Sequence, residues 1–308
     1  MNMQPLIIAT LLAILFEVSR TVVSTCTAGI ALFAIGTMAA KNEVAQARGL
    51  DKIVALSNLF FAAPLAVFGA EHFAAARGIM QLVPKFMPWP LFWTYFVGVA
   101  LLAASLSIAT KIQVRWSGLL FGIMMFLFVA MMDLPGALKT PHDRFAWTFL
   151  LRELSFGSGG WILAGDALDT PGAQRKSKLI TVGRIVLGIA AMFYGLQHFL
   201  HPINVPGVPL EMLMPTRIPA RVLISYLTGG ILLVAGACIL FAKKTRLAAT
   251  YLGTWIVLVV LLVYGPILIA SLLDPSTAVK VDGINYFFDT MLFAGTILAL
   301  ARATPSSD

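Results

Sequence analysis

Four histidines occur in the chain, and two of them sit in matched settings, Phe68-Gly-Ala-Glu71-His72-Phe73 and Tyr194-Gly-Leu-Gln197-His198-Phe199. Imidazoles presented by two helices could ligate a haem iron or donate hydrogen bonds to a quinone carbonyl. A histidine near a helix end can also hydrogen-bond the adjoining loop and serve packing alone. All three readings stay open, with haem disfavoured because bis-histidine haem sites place their ligands deeper in the helix. Glu71, His72, Gln197, His198 and the nearby His201 are therefore the candidate ligand-binding residues.

A second set is defined by charge within apolar surroundings, where each ionisable group costs free energy unless it is paired or used. Asp133, Arg152, Glu153 and Asp289 form this set. Neighbours on a helix point in different directions, so Arg152 and Glu153 are each expected to find a partner on another helix. Asp133 is the candidate for Arg152. Asp289 has no cation close in sequence, and a role capping a helix start, where the dipole favours an anion, is the expectation for it. A helix-locking ion pair and a proton-handling role are both compatible with these residue types.

Other chemistries are excluded. Cys26 and Cys238 are the only cysteines and form no Cys-x-x-Cys, against thiol relays, iron–sulfur clusters and cysteine zinc sites. No metal site is expected. No phosphate-binding Gly-x-x-x-x-Gly-Lys-Ser/Thr loop is present, and no segment is polar enough to form a soluble flavin or nucleotide domain. The chain is expected to have no catalytic activity of its own.

The elements that must carry these residues are membrane helices. Hydrophobic residues make up 59% of 308 and charged residues 12%, where soluble domains carry about 25% charged residues. Nine stretches approach the roughly 20 apolar residues a bilayer-spanning helix needs. They are Thr21–Ala40, Ile53–Phe73, Phe86–Thr110, Trp116–Met132, Phe145–Gly165, Thr181–Leu200, Val222–Ala242, Leu247–Leu273 and Gly283–Ala301. Pro5–Phe16 is too short to cross alone and is expected to remain uncleaved, continuing the next helix or lying at the interface. Lys and Arg favour, twelve to seven, the side carrying Lys41, Lys111, Lys243 and Arg302. That side is expected to be cytoplasmic, with the C-terminus inside. The net charge of +8 suits loops beside anionic lipid and calls for no nucleic acid.

The chain also repeats itself. Pro84, Pro88, Tyr95, Gly98, Arg115, Gly122 and Pro135 are answered by Pro215, Pro219, Tyr226, Gly229, Arg246, Gly253 and Pro266, each 131 residues on. The His72/His198 offset is 126, so the second copy carries five extra residues around Pro202–Pro209. The expectation is an all-α, polytopic membrane protein of two tandem four-helix transmembrane bundles. Because each copy has an even number of spans, they would be related by a pseudo-two-fold along the membrane normal. Residues 1–50 form an unrepeated N-terminal region, 51–168 the first copy, 169–179 a cytoplasmic linker and 180–308 the second copy. The prolines before equivalent helices are read as helix starts, and Pro135 and Pro266 as span ends.

With these motifs in place, the chain resembles DoxX-like integral membrane proteins. The second copy carries the likeness best, through Gln197-His198-Phe199-x-x-Pro202, Met214-Pro215, Pro219, Tyr226-x-x-Gly229 and Lys244-Thr245-Arg246. The first copy has Ala75 and Ala76 after its His-Phe pair, and Ala100 and Ile231 stand where such proteins often carry an acidic residue. The resemblance implies a four-helix unit and a subunit or accessory role beside a quinone-linked oxidoreductase complex in a bacterial inner membrane. A quinone or lipid pocket would face away from the cytoplasm. A small-molecule or ion transporter and a structural scaffold are the alternatives.

Overall fold

The computed structural model describes residues 19–168 and 177–305, so the run Pro5–Phe16 and linker residues 169–176 lie outside the described residues. The described residues are helical nearly throughout, with one isolated antiparallel bridge between Asn204 and Leu213. In chain order the helices are α1 (Arg20–Gln46), α2 (Asp51–Ala55), α3 (Ser57–Ala74), α4 (Ala76–Ile79), α5 (Pro90–Thr110), α6 (Val114–Phe128) and α7 (Leu134–Lys139). There follow α8 (Arg144–Asp166), α9 (Lys178–Leu200), α10 (Arg221–Leu240), α11 (Thr245–Val259), α12 (Gly265–Leu272) and α13 (Thr277–Ala303). Local chemistry starts several of them. Ser19, Asp143 and Ser177 cap α1, α8 and α9 by accepting from Thr21, Phe145 and Leu179 N–H groups at 3.3, 2.9 and 3.2 Å, satisfying donors that have no helical partner.

This is a multi-pass membrane protein: among the described residues seven helices are long and apolar enough to cross a bilayer. They are α1, α5, α6 continued into α7 (Val114–Lys139), α9, α10, α11 continued into α12 (Thr245–Leu272), and α13. The pair of α3 with Ala76–Leu82 is apolar enough only when taken together and bends by 88°, the geometry of a broken span or a re-entrant loop. The expected ninth span, Phe145–Gly165, is helical as α8 but not apolar enough. Arg152, Glu153 and the Ser155–Gly160 stretch lower its hydropathy.

Packing explains why α8 tolerates that composition. It lies inside, with α3 and α13, and all three are buried over long continuous runs, such as Asp289–Ala301 of α13. Small residues let them approach. A methyl added to Gly295 would stand 2.6 Å from the Phe61 nitrogen, and one on Gly159 2.5 Å from the Phe61 ring, the close-packing device of membrane helices. The remaining long helices turn apolar side chains such as Ile30, Met38, Leu120, Val234 and Leu262 outward. A bilayer covers such surface at no cost.

Irregular backbone recurs at a fixed spacing. Trp89, Lys111 and Gln113 have left-handed φ values of 53°, 62° and 59°, and Ala220, Ala242 and Lys244, each 131 residues later, have 51°, 54° and 49°. Both Pro135 and Pro266 follow a π-helical segment, Val129–Asp133 and Val260–Tyr264. The prolines therefore lie inside continuing helices rather than at span ends: the π turn takes up the ring and the missing N–H. The two helix crossings beside the histidines also correspond. A methyl on Gly69 would lie 3.1 Å from the Gly98 carbonyl oxygen, and one on Gly195 2.9 Å from that of Gly229.

One end of the bundle is tied by basic residues. Lys111 pairs with Glu43 at 2.5 Å and Arg246 with Asp51 at 2.8 Å. Arg302 reaches Asp166 at 3.3 Å and the Asn58 side chain at 3.1 Å. Near this end, Arg184 donates to the carbonyls of Ile239 and Leu240. The opposite, distal end carries the residues singled out from the sequence.

Candidate functional site

The distal half of the core is organised around Arg152. Its Nη1 donates to Asp289 Oδ2 at 2.6 Å, while Nε and Nη2 donate to Glu153 Oε1 at 3.1 and 2.6 Å. The guanidinium carbon stands 4.0 Å from the centre of the Phe149 ring, adding a cation–π contact in a dry setting. The expected pairing of Arg152 with Asp133 is thus replaced. α13 packs against α8 and presents Asp289, and the long arginine side chain folds back over its own neighbour Glu153. Asp289 is no helix cap, since it lies about 18 Å along α13 from its start, at ~1.5 Å per residue. Arg152 lies about 12 Å along α8 on the same measure. The ion pair therefore sits well inside both helices, of which α13 is long and apolar enough to cross a bilayer.

Further polar groups extend from this centre. Asn285, one turn before Asp289 on α13, donates from Nδ2 to Glu71 Oε1 on α3 at 3.3 Å. Glu71 is within electrostatic reach of Asp289, and Asp133 within that of Glu153 and Arg152. The buried Tyr194 hydroxyl donates to the Thr148 carbonyl at 3.2 Å. Asp133 Oδ2, Gln197 Oε1 and Asn285 Oδ1 are among the buried oxygens of the described residues that have no hydrogen-bond partner. Glu71, Asp133, Glu153 and Asp289 make four carboxylates, and Arg152 is the one cation that an ion pair joins to any of them among the described residues.

The histidines lie beside this centre on separate helix pairs, and no hydrogen bond joins them among the described residues. His72 is half-buried, and its Nδ1 lies 2.7 Å from the Phe68 carbonyl oxygen. His198 is only 1% exposed, with Nδ1 2.6 Å from the Tyr194 carbonyl oxygen and Nε2 accepting from the Gly207 N–H at 3.0 Å. Because Nε2 accepts, Nδ1 must carry the proton and donate. Each histidine precedes a phenylalanine stacked on the next long helix, Phe73 on Tyr95 at 5.5 Å and Phe199 on Tyr226 at 5.6 Å. His201 is exposed at the end of α9; its slight burial, then the Arg144 charge, lower its pKa below the usual imidazole value.

What covers His198 is the loop that holds the five extra residues. Asn204–Leu210 are all buried. The loop is closed on itself by Val205 N–H to Met212 and Met214 N–H to Ile203, at 3.0 and 2.8 Å. It is also pinned to the bundle: Tyr264 donates to the Pro206 carbonyl at 2.8 Å, Arg144 to that of Pro209 at 2.6 Å, and Met212 N–H to the Tyr286 hydroxyl at 3.0 Å. Gly207 has φ 103°, and a methyl there would stand 3.0 Å from Thr290, the neighbour of Asp289. Only glycine combines that backbone with that approach. We call Asn204–Leu210 the plug.

Sequence reasoning missed Asn285, Tyr194, Tyr264 and the plug. Asn285 was findable, being four residues from Asp289 on one helix face. The two tyrosines sit in apolar runs like any core aromatic. Among the described residues no group of three or more His, Cys, Asp or Glu side chains is placed to hold a metal ion. No family model, curated protein or solved structure matches this chain.

Proposed function

We propose that the chain is a non-catalytic, DoxX-like membrane subunit that works beside a quinone-linked redox system and holds protons in its distal polar centre. The observation that carries this reading is the charge imbalance there: four carboxylates, Glu71, Asp133, Glu153 and Asp289, with Arg152 the one cation ion-paired to any of them among the described residues. Unpaired charge inside a span is costly, and neighbouring carboxylates in a low dielectric share protons rather than all ionising. Among the described residues no cluster of the metal-binding kind stands by to balance them, which favours protons as the compensating charge. The unpartnered oxygens of Gln197, Asn285 and Asp133 are acceptors, so they suit a ligand that donates hydrogen bonds, such as a quinol hydroxyl or water.

In this reading the two halves are tandem DoxX-like copies related by a pseudo-two-fold. The left-handed residues and π segments spaced by 131 support that arrangement. The basic end faces the cytoplasm of a bacterial inner membrane, so the polar centre opens outward. Purification from native membranes in mild detergent tests the association directly. Quinone in the lipid extract together with oxidoreductase subunits is the expected result. A chain that purifies alone and free of quinone would contradict it.

A second reading, a proton-linked transporter, is favoured by one specific contact. Arg152 on α8 and Asp289 on α13 join the last helices of the two halves at depth, where alternating access would need a breakable link. Solute-driven proton uptake into proteoliposomes would select this reading over the first.

A further inference from the structure

At the basic end, the α5–α6 turn, the start of α3 and the ends of α8 and α13 border a half-open cavity of about 420 Å³. Its wall carries three cations, Lys111, Arg115 and Arg302, one carboxylate, Asp166, and the amides of Asn58 and Gln113. Lys111 is paired with Glu43, and Arg302 with Asp166 and, at 3.7 Å, Glu43. Arg115 has no ion pair or hydrogen bond among the described residues, and its guanidinium rests 5.1 Å from the centre of the Trp116 ring. Its counterpart 131 residues on, Arg246, is fully engaged. It pairs with Asp51 and donates to the carbonyls of Ala301 and Thr304 at 3.4 and 3.2 Å. The same wall includes the N-terminus of α6, at Gln113, Val114 and Arg115, where no side chain caps the helix and the first turn holds no acidic residue.

We propose that this cavity binds a phosphate group, carried by an anionic lipid headgroup or free in solution. An uncapped helix start offers N–H donors and a positive dipole end to an anion. The unpaired Arg115 adds a planar fork that matches phosphate oxygens. The cavity volume lies in the range of small-ligand sites. Basic pockets between spanning helices beside a membrane surface are suited to headgroups.

The test uses the full chain purified in detergent, with native mass spectrometry and thermal unfolding as readouts. Phosphatidylglycerol is one probe, with phosphatidylcholine as its zwitterionic control. Inorganic phosphate is the other, with chloride at matched ionic strength. One probe should bind in preference to its control. Binding should weaken by about tenfold in Arg115→Gln, the scale of one charge-assisted hydrogen bond, and stay unchanged in Arg217→Gln on the distal loop. Preference for phosphatidylglycerol alone assigns the site to a lipid headgroup, and stabilisation by phosphate alone assigns it to the free anion. Phosphorus NMR of the unsubstituted protein gives a readout independent of any variant, a bound resonance distinct from micellar lipid and free phosphate. Neither probe exceeding its control, or equal binding by folded Arg115→Gln, would overturn the proposal.

Discussion

His72 and His198 stand in the same motif, each bonded to the carbonyl four residues earlier and each beside a phenylalanine stacked on the next long helix. Their surroundings differ. After His72 the chain leaves as an exposed segment, with Leu82, Phe86 and Trp89 turned outward. After His198 it folds back as the plug, whose Gly207 N–H takes up the second ring nitrogen. One histidine keeps a nitrogen available at an open end, and the other is locked as a neutral donor and acceptor inside the protein. Where the first segment lies exposed, the loop with five extra residues forms an internal seal whose Gly207 approaches Thr290, next to Asp289.

Removing the charge centre beside both ends should have the largest effect. Arg152→Leu strands Glu153 and Asp289 without their cation, and the loss of one partner from a buried ionic cluster costs about 3–5 kcal/mol. Unfolding in mixed micelles should show that loss, and adding Glu153→Gln and Asp289→Asn should recover part of it. The histidines come next and separate the two ends. His198→Ala removes two hydrogen bonds and orphans the buried Gly207 N–H, for about 2–3 kcal/mol. His72→Ala should cost about 1 kcal/mol or less by the same reasoning. Equal losses would mean that the plug contributes nothing to the difference.

Gly207→Ala probes the plug alone. Its left-handed backbone and the 3.0 Å approach to Thr290 should make the substitution cost about 1–2 kcal/mol. Proteolysis of the 202–215 loop in the folded protein should rise, and the 75–89 segment should be cut at its former rate. The smallest effect compares the basic residues of the other end. Arg246→Gln loses its carboxylate and two carbonyls and should cost about 1 kcal/mol. Arg115→Gln, in ligand-free detergent, should cost under about 0.5 kcal/mol, as exposed substitutions do.

The apolar runs located the helices well, because span length and composition are local properties. α8 shows the limit of that logic. It lies among helices instead of facing lipid, so its Arg152, Glu153 and glycine-rich stretch are paid in packing and pairing that no window of sequence contains. The partner of Arg152 lies 137 residues away on α13, and nothing local distinguishes Asp289 from Asp133 as the one it meets. The insertion near Pro202 was visible as a shift in spacing. That it folds inward depends on Tyr264, Arg144 and Tyr286, which come from three other parts of the chain. Pro135 and Pro266 looked like helix terminators because proline breaks α-helices, whereas a π turn ahead of each absorbs the break.

The central claim is that the distal carboxylates share protons inside the membrane. Infrared titration of the protein in lipid bilayers measures this most directly, through the carbonyl stretch of protonated carboxyl groups in the neutral pH range. A protonated-carboxyl band should be present at neutral pH, and it should shrink in a combined Glu71→Gln, Asp133→Asn variant. The absence of any such band, or a band of undiminished strength in that variant, would contradict the account.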